Sequence, residues 1–168
     1  MGLTVRTSCC DCGQVRFKAI GDPIVTAVCY CSDCQKGGQL IQALPDAQPV
    51  LDQDGGTPYL TYRDDRFRCV AGQHLLEGHK LKASAPTQRF VATCCNSGMY
   101  LKFKYGHWVS AYRYRFADEI LPAVEMRTNL RRRQSALVLP QDAPSYSRFP
   151  LSLFAKLFRS RIDMALGR

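Results

Sequence analysis

The sequence predicts a mainly β fold with an amphipathic helix at its C-terminal end. Three observations carry that prediction. Short stretches alternate apolar and polar residues, turn-forming pairs separate them, and the last segment repeats its apolar residues at helical spacing. The chain has 168 residues, a length that suits one domain and can bury a sizeable core without disulfides. Hydrophobic residues make up 46% and charged residues 22%, which excludes a disordered or fibrous chain.

Val15, Phe17 and Ala19 alternate with Arg16 and Lys18, the pattern of a half-buried strand that Gly21-Asp22-Pro23 ends. Residues 24–31 are apolar and β-branched and predict a second strand. Gly37-Gly38 is read as the stop of whatever follows. After the turn at Gly55-Gly56-Thr57-Pro58, residues 59–62 and 89–93 predict further strands, and residues 94–98 a tight knuckle. Residues 100–105 alternate again. Trp108, Tyr112, Tyr114 and Phe116 recur at period two with Arg113 and Arg115 facing the other way, which predicts an antiparallel strand with one wet face. Residues 117–130 have weak helical character, and residues 140–150, with three prolines, read as a linker. In residues 151–166, Leu151, Phe154, Leu157, Phe158 and Ile162 fall near one helix face.

The formal net charge is +9, and the basic residues crowd into the last quarter, including Arg131-Arg132-Arg133. Such a tail suits nucleic acid or an acidic membrane surface. Packing of the helix on the sheet or on a second subunit, with solvated arginines, is the favoured reading, and a homo-oligomer is compatible with it. Met1 to Arg6 shows no apolar run of the secretory kind, so a cytoplasmic, reducing setting is expected.

Nine cysteines in such a setting point to metal or redox chemistry rather than disulfides. They cluster as Cys9-Cys10-Asp11-Cys12-Gly13, as Cys29-Tyr30-Cys31-Ser32-Asp33-Cys34, and as Cys94-Cys95. Only Cys69 stands apart, as a small buried residue would. Zinc takes tetrahedral thiolate ligands, and short spacings let one knuckle present two sulfurs to one ion. The C-x-C-x-x-C run supplies three, which leaves a fourth position for water or substrate. His74, His79 and His107 lie beyond these motifs and read as surface or structural histidines. Arg16, Lys36 and Lys102 are the cations nearest the motifs in sequence.

In this order the motifs resemble the family of glutathione-dependent formaldehyde-activating enzymes, which includes centromere protein V. The segments that carry the likeness are Cys10-Asp11-Cys12-Gly13-Gln14-Val15-Arg16-Phe17, Cys29-Tyr30-Cys31-Ser32-Asp33-Cys34-Gln35, and residues 89–99. The resemblance implies a β-tent fold of stacked antiparallel sheets over residues 1–120, with zinc-binding cysteine knuckles. Residues 121–168 are then a basic, partly helical extension packed on the same domain. One or two zinc ions per chain are implied, a structural one at Cys10 and Cys12 with a later cysteine pair, and a catalytic one at Cys29, Cys31 and Cys34. The implied activity joins glutathione and formaldehyde into S-hydroxymethylglutathione, a carbon–sulfur lyase reaction run in reverse. Glutathione or another small thiol is the implied partner.

The chain departs from the family pattern at two motif positions and in its basic tail after Phe116, which has no counterpart there. Ala92 stands where the later pair has its first cysteine, with Cys95 matching the second, and Cys94 or Cys9 is the candidate replacement. Tyr30 stands where the family often has histidine. The structural site is therefore expected to be altered, three-coordinate or empty, and a non-catalytic zinc module of the same fold is the alternative function.

Overall fold

A computed structural model describes residues 3–117 and 120–168. Among the described residues, ten strands form two sheets. The small sheet has the order β1 (Val5–Cys9), β2 (Arg16–Ile20), β5 (Phe67–Ala71). The large one runs β10 (Met126–Thr128), β3 (Val25–Cys29), β4 (Thr57–Arg63), β9 (Trp108–Tyr112), β8 (Ser97–Phe103), β7 (Thr87–Ala92), β6 (Leu76–His79). The mainly β, two-sheet expectation is met. One pairing breaks the antiparallel rule: β10 lies parallel to β3, with Met126 beside Ala27 and Thr128 beside Cys29.

Period-two alternation sorts the side chains of the large sheet into two layers. Leu60 and Tyr62 of β4, Val109 and Ala111 of β9, and Met99 of β8 turn toward the small sheet. There they meet Val15, Phe17, Ala19 and Phe67, and the rings of Phe17 and Phe67 stack at 4.6 Å. Tyr59, Tyr112 and Val91 turn to the opposite face and pack with Cys29, Cys34, Ile41 and Val50. Because both faces are covered, β9 has no wet side, contrary to the sequence reading. The strand also stops at Tyr112. Arg113–Arg115 form a single 3-10 turn, and Arg115 turns inward, buried against Asp11 at 2.6 Å.

Two other expectations fail for identifiable reasons. Gly37 and Gly38 do not stop an element; they lie inside the helix α1 (Ser32–Gln42). A Cβ on Gly37 would stand 1.9 Å from Arg89 Nε, and one on Gly38 would stand 2.4 Å from Leu51. The pair lets a helix lie against a buried arginine and a loop, a need that outweighs its helix penalty of ~1 kcal/mol per glycine. Among the described residues of 117–130 there is no α-helix. Their weak helical pattern yields instead to the sheet edge that β3 offers to Met126–Thr128.

Tyr30 explains why that edge is taken. It is fully buried, and its hydroxyl donates to Asp54 Oδ2 at 2.8 Å and accepts from Arg127 Nη1 at 2.7 Å. Arg127, itself 3% exposed, also grips Asp142 with two nitrogens. Gln35 Nε2 reaches the carbonyls of Tyr30 and Arg132 at 2.6 and 2.8 Å. The tail is thus tied to the strand that leads into α1, and Arg127 is a structural ion-pair partner rather than a free surface charge.

The C-terminal helix α2 (Leu151–Ala165) forms where the sequence places it, but only Leu157 of the predicted apolar face lies in its inner row. Leu153, Leu157, Ser160 and Met164 make its inner row. Of the predicted apolar face, Leu151, Phe154, Phe158 and Ile162 all remain exposed. Ser160 Oγ meets His107 Nε2 at 2.7 Å, and Lys156 pairs with Glu125 at 2.5 Å. No helix among the described residues is long and apolar enough to cross a membrane.

Replacing Tyr30 by Phe strips one hydroxyl from a buried charged network. Loss of a hydrogen-bonding partner there costs about 1–3 kcal/mol. Urea unfolding should register that loss as a lower midpoint with an unchanged slope.

Candidate metal centres

Two groups of cysteine sulfurs converge, each with all its sulfurs within 4.8 Å of one another. The first joins Cys10, Cys12, Cys94 and Cys95; the second joins Cys29, Cys31 and Cys34. Cys9 belongs to neither. Cys69 is half-buried against the inter-sheet core, away from both groups.

The first group is built by two turns. Cys10 and Cys12 sit between β1 and β2, where Gly13 takes φ +75°, a left-handed conformation that glycine adopts without strain. Cys94 and Cys95 sit between β7 and β8, where Asn96 takes φ 54°. The two turns are held together by Asp11. Its carboxylate accepts from Ser97 Oγ at 2.6 Å and from Arg115 Nη1 at 2.6 Å. Sulfur separations are 3.6 Å for Cys10–Cys12, 3.8 Å for Cys10–Cys94, 3.3 Å for Cys12–Cys94 and 3.9 Å for Cys94–Cys95. A tetrahedron with 2.3 Å metal–sulfur bonds has edges of ~3.8 Å, so these four donors fit a zinc-sized ion. Adjacent cysteines do converge here. Ala92 is buried in the core on β7, and Cys94 brings its sulfur to the group that Ala92 cannot serve.

Electrostatics within this group are uneven. Burial pushes the Cys94 and Cys10 thiols up. For Cys95 burial also raises the pKa, yet the Ser97 hydroxyl and the Cys12 backbone N–H overcome it and bring the thiol down to about 6.

The second group stands where β3 becomes α1. Cys29 ends the strand, Cys31 caps the helix, and Cys34 lies in its first turn. Cys31 Sγ accepts the Cys34 backbone N–H at 3.4 Å, as an N-cap side chain does. Hydrogen bonds from the Cys29 and Cys34 thiols, then from the Cys34 and Asp33 backbone, lower the Cys31 thiol to about 3. The same sharing, led by the contact with Cys31, raises Cys29 to about 11; Cys34 rises too, led by its contact with Cys29. The helix N-terminus adds its positive end to this balance.

Two further residues touch these sulfurs. Tyr59 Oη donates to Cys34 Sγ at 3.6 Å, and Asn129 Nδ2 donates to Cys29 Sγ at 3.7 Å. Sequence reasoning missed both. Tyr59 was legible only as a strand residue, and Asn129 reaches Cys29 because β10 runs alongside β3. Such donors hold ligand sulfurs in place and tune their charge.

Three sulfurs can bind one ion and leave a position open, and this group borders a cavity of about 970 Å³ between the large sheet and α2. His107 lines that cavity, although no motif marked it; His74 and His79 are exposed. Its cations are Arg89, Lys104 and Arg161. Arg16 and Lys36 are exposed elsewhere, and Lys102 is spent on Asp64 at 2.5 Å.

Fold and sites together define a mainly β protein with two thiol clusters, each able to hold a metal ion. The family model described as glutathione-dependent formaldehyde-activating enzyme matches residues 5–44, from β1 through α1. The likeness read from the cysteine motifs is borne out over that stretch, which holds Cys10, Cys12, Cys29, Cys31 and Cys34. No curated protein matches the chain. A solved structure of a Rhodobacter sphaeroides protein is similar over 69% of this chain and 91% of that one, at 14% identity and a TM-score of 0.48.

In chelator-treated protein, Cys31 should react with iodoacetamide at pH 6 at nearly its pH 8 rate, because a thiol lowered to about 3 is ionised at both. Cys29 and Cys34, raised, should slow as pH falls. Mass-spectrometric mapping of the alkylated peptides distinguishes the three.

Proposed function

We propose that the chain is a zinc-dependent enzyme of the carbon–sulfur lyase type. In this reading it joins glutathione or another small thiol to an aldehyde, as an S-hydroxymethylglutathione synthase does. The observation that carries the reading is the three-sulfur group at Cys29, Cys31 and Cys34 bordering a cavity, beside a four-sulfur group with no position to spare. The family match over residues 5–44 supports the choice of reaction.

Cys29, Cys31 and Cys34 would hold the reactive ion, and Cys10, Cys12, Cys94 and Cys95 a structural one. A zinc ion at the three-sulfur group supplies a seat for a substrate thiol and lowers that thiol's pKa. The chain's own residues do the rest. Tyr59 and Asn129 fix the sulfurs of Cys34 and Cys29, while the sheet face and the inner row of α2 wall the cavity that the carbonyl would enter. The substrate sulfur adds to the carbonyl carbon as the C=O π pair moves to oxygen. The proton the thiol gave up ends on that oxygen, so the step balances with no oxidant or reductant. Orienting two small reactants at one site is itself a large contribution to rate.

The two centres predict different losses. Cys94→Ser should lower the metal content of freshly purified protein by one ion, whereas Cys9→Ser should leave it unchanged; elemental analysis decides.

Cys31→Ser should also lose one ion, and with it thiol-dependent consumption of formaldehyde. Turnover that survives in Cys31→Ser would refute the assignment. Metal loss with no turnover in the wild type, across several thiols and aldehydes, would favour a non-catalytic zinc module.

A further inference from the structure

The cavity beside Cys29, Cys31 and Cys34 is far larger than a one-carbon carbonyl needs. Its floor is one face of the large sheet. From β3, Cys29, Ala27 and Val25 point into it, and four residues of strand span ~13 Å. Register carries the floor on from there: Val25 lies beside Thr61, Thr61 beside Ser110, and Ser110 beside Leu101. Phe103 and Trp108 close the far end. The roof is α2, through Leu153, Phe154, Leu157, Phe158 and Met164.

Several polar groups along this trough are already engaged with one another, while Arg161 of α2 and the buried Arg89 Nε stand at its wall without a hydrogen-bond partner among the described residues. Thr61 Oγ1 and Ser110 Oγ lie 3.1 Å apart, and His107 Nε2 meets Ser160 Oγ at 2.7 Å. Arg89 Nη2 donates to the Asp33 carbonyl at 2.5 Å. Lys104 follows Phe103 at the end remote from the cysteines, where it lies over the Tyr105 ring at 5.5 Å. Most of the remaining wall between the sulfurs and Trp108 is apolar, made by Val25, Ala27, Leu101, Leu153 and Leu157. Part of it stands open to water, since Phe154 is 53% and Phe158 is 69% exposed. A built, half-exposed apolar trough calls for a ligand that covers it.

We propose that the aldehyde substrate carries a long unbranched apolar chain. Its carbonyl carbon lies at the Cys29–Cys31–Cys34 end, and its chain runs along β3 beneath α2 toward Trp108 and Phe103. The carbonyl chemistry rests on the thiol–aldehyde reading above; the apolar chain rests on the trough. Formaldehyde occupies only the cysteine end and leaves the trough empty.

The test uses the whole protein and two aldehydes, with 1-decanol as an unreactive analogue of decanal. Calorimetric titration with 1-decanol should show saturable one-to-one binding with a negative heat-capacity change, the mark of buried apolar surface. Leu157→Arg should weaken that binding at least tenfold. Phe154→Ser and Phe158→Ser alter exposed roof residues that the core does not need, and each should weaken it several-fold. Ile162→Ser, on the outer face of α2, should leave it unchanged. With glutathione as thiol, decanal should exceed formaldehyde at least tenfold in kcat/KM. Formaldehyde turnover without decanol binding, or binding that the roof variants do not weaken, overturns the inference and leaves the reaction standing. Roof-dependent decanol binding with neither aldehyde consumed upholds the apolar-chain site and removes the reaction.

Discussion

Cys29 and Cys31 point one way from the end of β3, and Tyr30 points the other. That alternation, enforced by the pleat, is the constraint on which the rest of the molecule hangs. On one side it delivers two sulfurs to Cys34. On the other it drives a phenol into the protein, where its hydroxyl needs partners and finds Asp54 and Arg127. Because Arg127 lies on β10, satisfying Tyr30 draws the tail strand alongside β3, and Asn129 then comes within reach of the Cys29 sulfur. The buried polar network and the thiol cluster are two faces of one strand end.

The two sulfur groups differ in what surrounds them. Around the four-sulfur group, Asp11, Ser97 and Arg115 stitch together the turns that carry the donors. That arrangement ties the β1–β2 turn to the β7–β8 turn. Around the three-sulfur group the neighbours are single donors, Tyr59 and Asn129, and one flank is open to the cavity. A helix N-terminus supports the negative charge there, and among the described residues no carboxylate is hydrogen-bonded to the group. The first arrangement suits a staple and the second suits exchange of a ligand.

Helix α2 joins these features to the cavity. Its inner row is apolar enough to close over the sheet, yet its tie to the body is polar: Ser160 to His107, and Lys156 to Glu125. Of the apolar stripe that helical periodicity marks, Leu157 faces the sheet and Phe154 and Phe158 line the half-open edge of the cavity, while Ile162 lies outside it.

Some of this was legible in the residues alone. The strand alternation around Phe17 and Tyr59 follows from covalent geometry, so does the capacity of C-x-C and C-x-x-C runs to present several sulfurs at one point, and the helical period of the last segment is a local property. These are short-range statements, and one-dimensional pattern is enough to make them. That Cys94 could replace the cysteine missing at Ala92 was legible, as one of two candidates; the helix that keeps Gly37 and Gly38 inside it, the inward turn of Arg115 and the parallel strand at Met126 were not. Each of these depends on a neighbour distant in sequence: Arg89 beneath α1, Asp11 in the first turn, Tyr30 at the end of β3. The sequence by itself determined which segments are strands with two distinct sides and which thiols can be presented together. Only the tertiary structure decided what each side meets, because burial and ion pairing are settled by whichever partner the folded chain brings within a few ångströms.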